Sequence, residues 1–549
     1  MSFLLTPISL VLLGSLVGVI NSNKIRFRRL TYFFVLIGIM LVYSLTYLLY
    51  YDLITWPLNF NGSEVAGSVW FFHTDITGVY KTNSVPSHSN ITPWVVVPWF
   101  ISLGWVLSYP FWLVIPYKLV KSKFYQKPSL SQYPHVVIVG AGFAGLAALH
   151  QFIDKKIRVT VIDKNNYYTF TPLLYQIASA ELSPEQIVFP IRSVLKEYDN
   201  MDFVLGSITD VETNKNVVVL ENNNEISYDY LILGMGTETN YFGVSGAETN
   251  SFALKNMNDA IMARNEILQC FEKASVEKNQ DRKKELLTFV IVGGGPTGVE
   301  FTGALSELIF GPMMKDFPGL DPGEVNIILV EALSNLLTGF PQKLGLYAKK
   351  RLIRMGVEVW LGQMVKELAD GQVTLSDGTI IKCGVIVWSG GARGPENVKS
   401  MPFQLNKNGQ IRVQPTLQSL NTDNVFVVGD LAVLEQRESP LPLMAPVAKQ
   451  QGKKAARNVL KLLEGKEPST FHFLNKGSLA TIGRNKAVAH FGPLKITGVI
   501  AWFLWVVVHI YFLVGYRNRL MVMGEWAWSY LFFERAFRLI MPTQVKPPN

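Results

Sequence analysis

The sequence predicts an α/β fold built on two parallel sheets, and three observations carry the prediction. The first is the stretch 135–149, HVVIVGAGFAGLAAL, where a β-branched run passes through glycines into an Ala/Leu-rich helix former. The second is a repeat of that device at 289–298, FVIVGGGPTG, running into VEFTGALSEL. The third is a strand after each turn that ends in an acid: RVTVI before Asp163, and Val325 to Val330 before Glu331. Continuous apolar strands without alternation belong to sheets buried on both faces.

In the first turn Gly140 permits the tight bend, Gly142 lets backbone approach a pyrophosphate, and Gly145 lets helix pack on strand. Phosphates then sit on the unpaired N–H groups of the helix start. Asp163 stands where a carboxylate takes ribose hydroxyls. The alternative is an ordinary glycine turn; the strand, the helix, the second strand and its acid together weigh against it. Gly293, Gly295 and Gly298 repeat the arrangement. Glu331 lies further from its glycines than the usual ~20 residues, and the intervening FGPMMKDFPGLDPGE reads as an insertion. Two dinucleotide folds call for two dinucleotides, most simply a tightly held flavin and an exchangeable nicotinamide.

The 549 residues leave room for several domains, and a 49% hydrophobic fraction calls for membrane segments. The two cysteines, Cys270 and Cys383, are far apart in unrelated contexts. That argues against a disulfide framework, a cysteine metal site and an iron–sulfur cluster, and both read as packing residues. No metal site is expected. The net charge of +9 is uneven: residues 1–127 hold nine Lys/Arg against three Asp/Glu. This basicity belongs to membrane flanks, and no basic, aromatic-interleaved surface suggests nucleic acid.

Along the chain, residues 3–20, 31–50 and 93–117 read as three transmembrane spans. No positive charge precedes the first span and no cleavage site follows it, so a signal peptide is the weaker reading. Basic clusters at 24–29 and 118–127 both fall inside if the N-terminus is outside. The dinucleotide folds then face the cytoplasm from the cell's inner (plasma) membrane. The spans hold no Asp, Glu, Lys, Arg or His, which fits an anchor better than a pump. His73 and His88, in the loop 51–92, read as solvated.

Residues 128–260 with 385–470 are assigned to the first dinucleotide unit and 261–384 to the second. After Asp163 the stretch NNYYTFTPLLYQIASAELSPEQIVFPIR has the Tyr, Phe and Pro content of a loop wrapping a flat aromatic ligand. Near 421–430, NTDNVFVVGD gives a strand ending in Gly429-Asp430, where the carboxylate is either a ribityl-chain acceptor or a plain turn residue. The region 471–549 holds the apolar 498–516, with His509, and the aromatic 526–540, WAWSYLFFERAFRLI, a composition suited to the headgroup region.

These motifs, in this order over roughly 134–540, resemble the type II NADH:quinone oxidoreductases, single-subunit, non-pumping flavoenzymes. The resemblance rests on VVIVGAGFAGL, the long aromatic loop above, VIVGGGPTGVEFTGALSEL, NVFVVGDLA, MAPVAKQQG, KGSLATIGRNKAVA and the aromatic C-terminal segment. It implies FAD at Gly140, Gly142, Gly145, Asp163, Gly429 and Asp430, and NADH at Gly293, Gly295, Gly298 and Glu331. It also implies that Ala445 to Gln451 lie beside the flavin and help form a quinone site. Many members have Ala-Gln where this chain has Ala445-Pro446, which leaves Gln450 and Gln451 as candidate quinone contacts. Glu300 is expected to point toward the nicotinamide or to serve as a helix-start carboxylate, and Glu185 reads as a helix-terminus residue. Membrane lipid is an expected partner, and a homodimer or a partner membrane subunit stays open. The competing readings are a flavoprotein subunit of a larger respiratory assembly and a dehydrogenase with a non-quinone acceptor. A disulfide reductase or a sulfide:quinone oxidoreductase would need cysteines near the flavin, and none is suitably placed.

Overall fold

The structure is a computed structural model that describes residues 130–434 and 440–542. The three expected spans lie outside the described residues.

The first glycine turn joins β1 (His135–Val139) to α1 (Phe143–Leu149), and β2 (Arg158–Asp163) follows. A short helix α2 (Leu174–Ala178) carries part of the aromatic loop, and β3 (Met201–Leu205) and β4 (Tyr230–Leu233) extend the sheet. The chain then crosses into a second sheet through β5 (Phe252–Ala253) and the long helix α3 (Met257–Val276). There β6 (Thr288–Val292), α4 (Pro296–Leu308), β7 (Asn326–Glu331), α5 (Gln342–Arg354), β8 (Val357–Leu361) and β9 (Val385–Trp388) complete a five-stranded order β5-β9-β6-β7-β8. The chain returns to the first sheet with β10 (Val425–Val427), giving β10-β4-β1-β2-β3, and α6 (Ala445–Leu463) follows. All pairs in both sheets are parallel.

Burial explains these strands. Every residue of β1 and β6 is buried, as unbroken apolar runs between helix layers require. The second sheet takes in Phe252–Ala253 and Val385–Trp388, so the boundaries move outward from the expected 260/261 and 384/385. Apolar runs mark strands well, but which sheet a strand joins is decided by distant partners. A short antiparallel pair, Glu238–Thr239 with Ala392–Arg393, links the units at these crossings.

The C-terminal region begins with an antiparallel sheet of β11 (Ser478–Gly483), β12 (Lys486–Phe491) and β13 (Leu494–Gly498). Then come α7 (Val499–Phe512) and α8 (Tyr516–Phe532). At ~1.5 Å rise per residue, α7 is too short for a ~30 Å hydrocarbon core. Among the described residues no helix is long and apolar enough to cross a membrane. Ala501, Trp505 and Val522 are buried, but other apolar side chains of α7 and α8 stay exposed, among them Ile500, Phe503, Leu520 and Leu531.

Candidate active site

The two glycine turns are built to the same plan. Gly140 bends at φ +95°, and a Cβ there would stand 2.3 Å from the Gly234 carbonyl oxygen. Gly145 is pressed closer still, since its Cβ would meet the Gly140 oxygen at 1.8 Å. Gly142 is different: an added Cβ would find no atom within 4 Å, so the N–H groups at the start of α1 face open space. In the second turn Gly293 (φ +107°) lies against Gly390, a Cβ on Gly298 would stand 1.9 Å from the Gly293 oxygen, and Gly295 is open like Gly142. Each opening is a cradle that a phosphate fills and a side chain would obstruct.

The acids close these turns. Asp163 accepts from the Ala141 N–H at 2.7 Å and the Asn165 N–H at 2.8 Å. Burial pushes its carboxyl up, and the two N–H groups pull against that. Glu331 likewise accepts from the Gly294 N–H and, at 2.8 Å, from the Leu333 N–H. A carboxylate holding one N–H on each oxygen keeps lone pairs for hydroxyls.

Gly429 and Asp430 follow β10 and lie under the start of α6. The Gly429 N–H donates to Gln451 Oε1 at 2.7 Å, and Gln410 Nε2 donates to the Asp430 carbonyl at 2.7 Å. Burial raises the Asp430 carboxyl, against the pull of Lys255, whose Nζ donates to Thr237 at 2.8 Å. Arg393 Nε, on the strand between the units, is buried without a partner among the described residues. An open phosphate cradle, a carboxylate and an unsatisfied buried guanidinium nitrogen fit a phosphorylated, polyhydroxylated cofactor such as FAD. Ala445 is the first residue of α6, and Pro446 after it lacks both an amide side chain and an N–H donor.

Two expectations change here. Gln450 donates to the Leu474 carbonyl and accepts from the Leu474 N–H, both at 3.0 Å. Gln451 is buried on Gly429. The Leu474 backbone takes up both groups of the Gln450 amide, so it is not free for quinone as expected, while Gln451 gives its oxygen to the Gly429 N–H. Glu300 also points elsewhere. Its carboxylate accepts from the Thr481 N–H at 3.2 Å and Trp505 Nε1 at 3.1 Å, toward the C-terminal layer and not the nicotinamide turn. Burial pushes its pKa up to about 8. Glu185 lies in the first turn of the short Pro184–Ile187 helix, as the helix-terminus reading expected.

Glu300 lines a cavity of about 570 Å³ with Tyr175, Trp505 and Trp526. From Trp505 a chain of rings leads back to the first turn: Trp505 stacks on His509 at 4.0 Å, His509 meets Phe170 at 6.2 Å, and Phe170 meets Phe143 at 5.8 Å. Lys449 holds its ammonium 4.0 Å from the Phe512 ring and 5.1 Å from that of Phe143. Burial, aided by Lys453, lowers its pKa to about 8. Sequence reasoning missed Lys449, although a lysine next to Gln450 at the start of α6 was a visible signal. It also missed Arg535, which is buried and donates to the carbonyls of Ser179 and Ala304 at 2.8 Å while pairing with Glu307 at 3.2 Å. No local pattern announces such a clasp.

The cysteines, expected in unrelated contexts, prove to be neighbours. A Cβ on Gly384, next to Cys383, would stand 2.8 Å from Cys270 Sγ. Burial pushes both thiols to about 12, so they pack and do not react. Among the described residues no group of three or more His, Cys, Asp or Glu gathers to hold a metal.

Known proteins share this arrangement. A family model described as pyridine nucleotide-disulphide oxidoreductase matches residues 134–452, and one described as the NDH2 C-terminal domain matches 475–535. A type II NADH:quinone oxidoreductase of Mycobacterium tuberculosis is 34% identical over 414 residues, covering 73% of this chain and 89% of that protein. The chain belongs to the type II NADH:quinone oxidoreductases. A type II member from Staphylococcus haemolyticus is 30% identical, covering 67% of this chain and 92% of its own length. At the level of fold, the solved NDH2 of Plasmodium falciparum in complex with NADH matches with a TM-score of 0.69 at 21% identity, over 75% of this chain and all of that one.

Proposed function

We propose that this protein is a membrane-bound flavoenzyme that oxidises NADH and reduces a membrane quinone by two electrons, without pumping protons. The carrying observation is the pair of open glycine turns, each closed by its own acid, in a chain whose last helices expose apolar side chains. FAD, when bound, supplies hydride acceptance from NADH and electron release to the quinone.

The residues divide the work. Gly140, Gly142, Gly145, Asp163, Gly429 and Asp430 hold FAD, with the start of α6 at Ala445 closing its site. Gly293, Gly295, Gly298 and Glu331 hold NADH, and the Glu331 carboxylate repels the 2′-phosphate of NADPH. Glu300, with a pKa of about 8, is largely protonated at neutral pH and can give a proton to a reduced quinone oxygen. Lys449 places a cation between the first turn and the end of α7, where an oxygen gaining negative charge is favoured. The N-terminal spans anchor the chain with its N-terminus outside and the dinucleotide units on the cytoplasmic side.

Stopped-flow absorbance of the detergent-solubilised protein tests the cycle. Fast flavin bleaching by NADH, slow bleaching by NADPH, and recovery on adding a short-chain quinone are expected. Bleaching without recovery would remove the quinone half, and absence of flavin would remove the whole reading.

A further inference from the structure

We propose that the mouth of the Glu300 cavity binds the phosphate of an anionic phospholipid, with an acyl chain lying against Trp502 and Trp526 and the inner end, where Trp505 bonds Glu300, left to quinone. This site goes beyond the NADH and quinone chemistry.

The mouth is basic. Arg354 ends α5, Arg484 stands in the turn between β11 and β12, and Lys486 begins β12; all three line the cavity. Helix α5 also carries Lys343, Lys349, Lys350 and Arg351 and no acid. Among the described residues, no carboxylate pairs with the side chains of Arg354, Arg484 or Lys486. The acids in the wall are occupied or uncharged. Glu307 pairs with Arg535 and accepts the Arg484 backbone N–H, Glu181 faces Arg535, and Glu300 is largely protonated at neutral pH. Arg484 lies over the rings of Tyr530 and Phe533 at 4.1 and 3.9 Å. A guanidinium stacked this way keeps its in-plane N–H edge for a phosphate.

The interior is apolar. Trp502, Trp505, Val506 and Trp526 form its walls, and the volume of about 570 Å³ is that of a small-molecule site. Outside, Phe503 and Leu531 are each at least 60% exposed, which sets the mouth beside the surface suited to lipid. A neutral quinone beside Glu300 would leave the three cations at the mouth uncompensated, and free phosphate would leave Trp502 and Trp526 uncovered. A phospholipid anion satisfies both parts.

The test uses full-length protein in detergent and lipids with brominated acyl chains, which quench tryptophan at contact. Brominated phosphatidylglycerol should quench saturably, at concentrations about tenfold below brominated phosphatidylcholine. Arg354→Gln combined with Arg484→Gln should erase that preference while flavin absorbance stays unchanged. Trp502→Phe with Trp526→Phe should remove most of the saturable quenching, although the chain holds 12 tryptophans. Equal quenching by both lipids, an unchanged preference in the arginine variant, or undiminished quenching in the tryptophan variant would each overturn the site.

Discussion

The first and second glycine turns follow one blueprint and diverge in two respects. Asp163 comes 23 residues after Gly140, whereas Glu331 comes 38 after Gly293. Both acids nevertheless end the strand next to their turn, because the ladders set them there: Val139 pairs with Ile162, and Val292 with Val330. Register, and not the length of the connection, places the acid beside its glycine turn. The extra chain is absorbed after α4, in a π-turn at Ile309–Met313 and short helical turns before β7. The second divergence is chemical. Aligned by their glycines, Ala147 of α1 corresponds to Glu300 of α4. Helix α1 is apolar and roofed by α6, so closely that a Cβ on Gly452 would stand 2.0 Å from the Ala144 oxygen. Helix α4 instead sends an acid into the C-terminal layer. One turn is closed over by a helix of its own unit; the other is tied through Glu300 to the C-terminal layer.

The most damaging changes should separate the two turns. Gly145→Ala and Gly298→Ala each force a Cβ onto a backbone oxygen, at a cost of about 3 kcal/mol. Gly145→Ala should yield flavin-free, heat-labile protein, while Gly298→Ala should keep yellow flavin that NADH no longer bleaches. Flavin loss in both would break the comparison.

Glu300→Gln comes next. NADH bleaching should be preserved and reoxidation by quinone slowed about 100-fold. Between pH 4.5, the ordinary value, and about 8, native Glu300 holds a proton that the unfolded chain has lost. Its contribution to stability therefore declines as pH rises through that window, and Glu300→Gln should flatten that part of a melting-temperature-versus-pH curve. The quinone half-reaction of the parent protein should also fall above about pH 8.

Smaller effects should come from the open cradles. Gly295→Ala should raise KM for NADH about tenfold with flavin content intact, since its Cβ meets nothing in the protein and only a phosphate outside it. Glu331→Gln should narrow the preference for NADH over NADPH by about tenfold, read as the ratio of bleaching rates.

Much of this was legible because it is local. Strand, turn, helix and terminal acid lie within short windows, and the unbroken apolar runs that bury β1 and β6 are visible in the letters. The braces were not. Glu300 takes its donors from Thr481 and Trp505, about two hundred residues on, and nothing near Glu300 encodes them. Gln450 looks like a free amide in the sequence; only packing shows that Leu474 occupies both its groups and that Gly429 takes the Gln451 oxygen. The three-stranded sheet at 478–498 escaped because its strands are not unbroken apolar runs: Thr481, Lys486, His490 and Lys495 interrupt them. Sheet membership of Phe252–Ala253 depends on Val387 and Trp388, far along the chain.

The position of β10 has a consequence for synthesis. The first sheet receives this edge strand only from residue 425, although β4 ends at 233. At ~5–20 residues per second, about 10–40 s separate the two on the ribosome. During that interval β4 has an open edge, while the whole second sheet, nested in the gap, has emerged. The nascent chain should therefore complete its nicotinamide unit first, and the flavin unit should stay exposed to chaperones until α6 arrives.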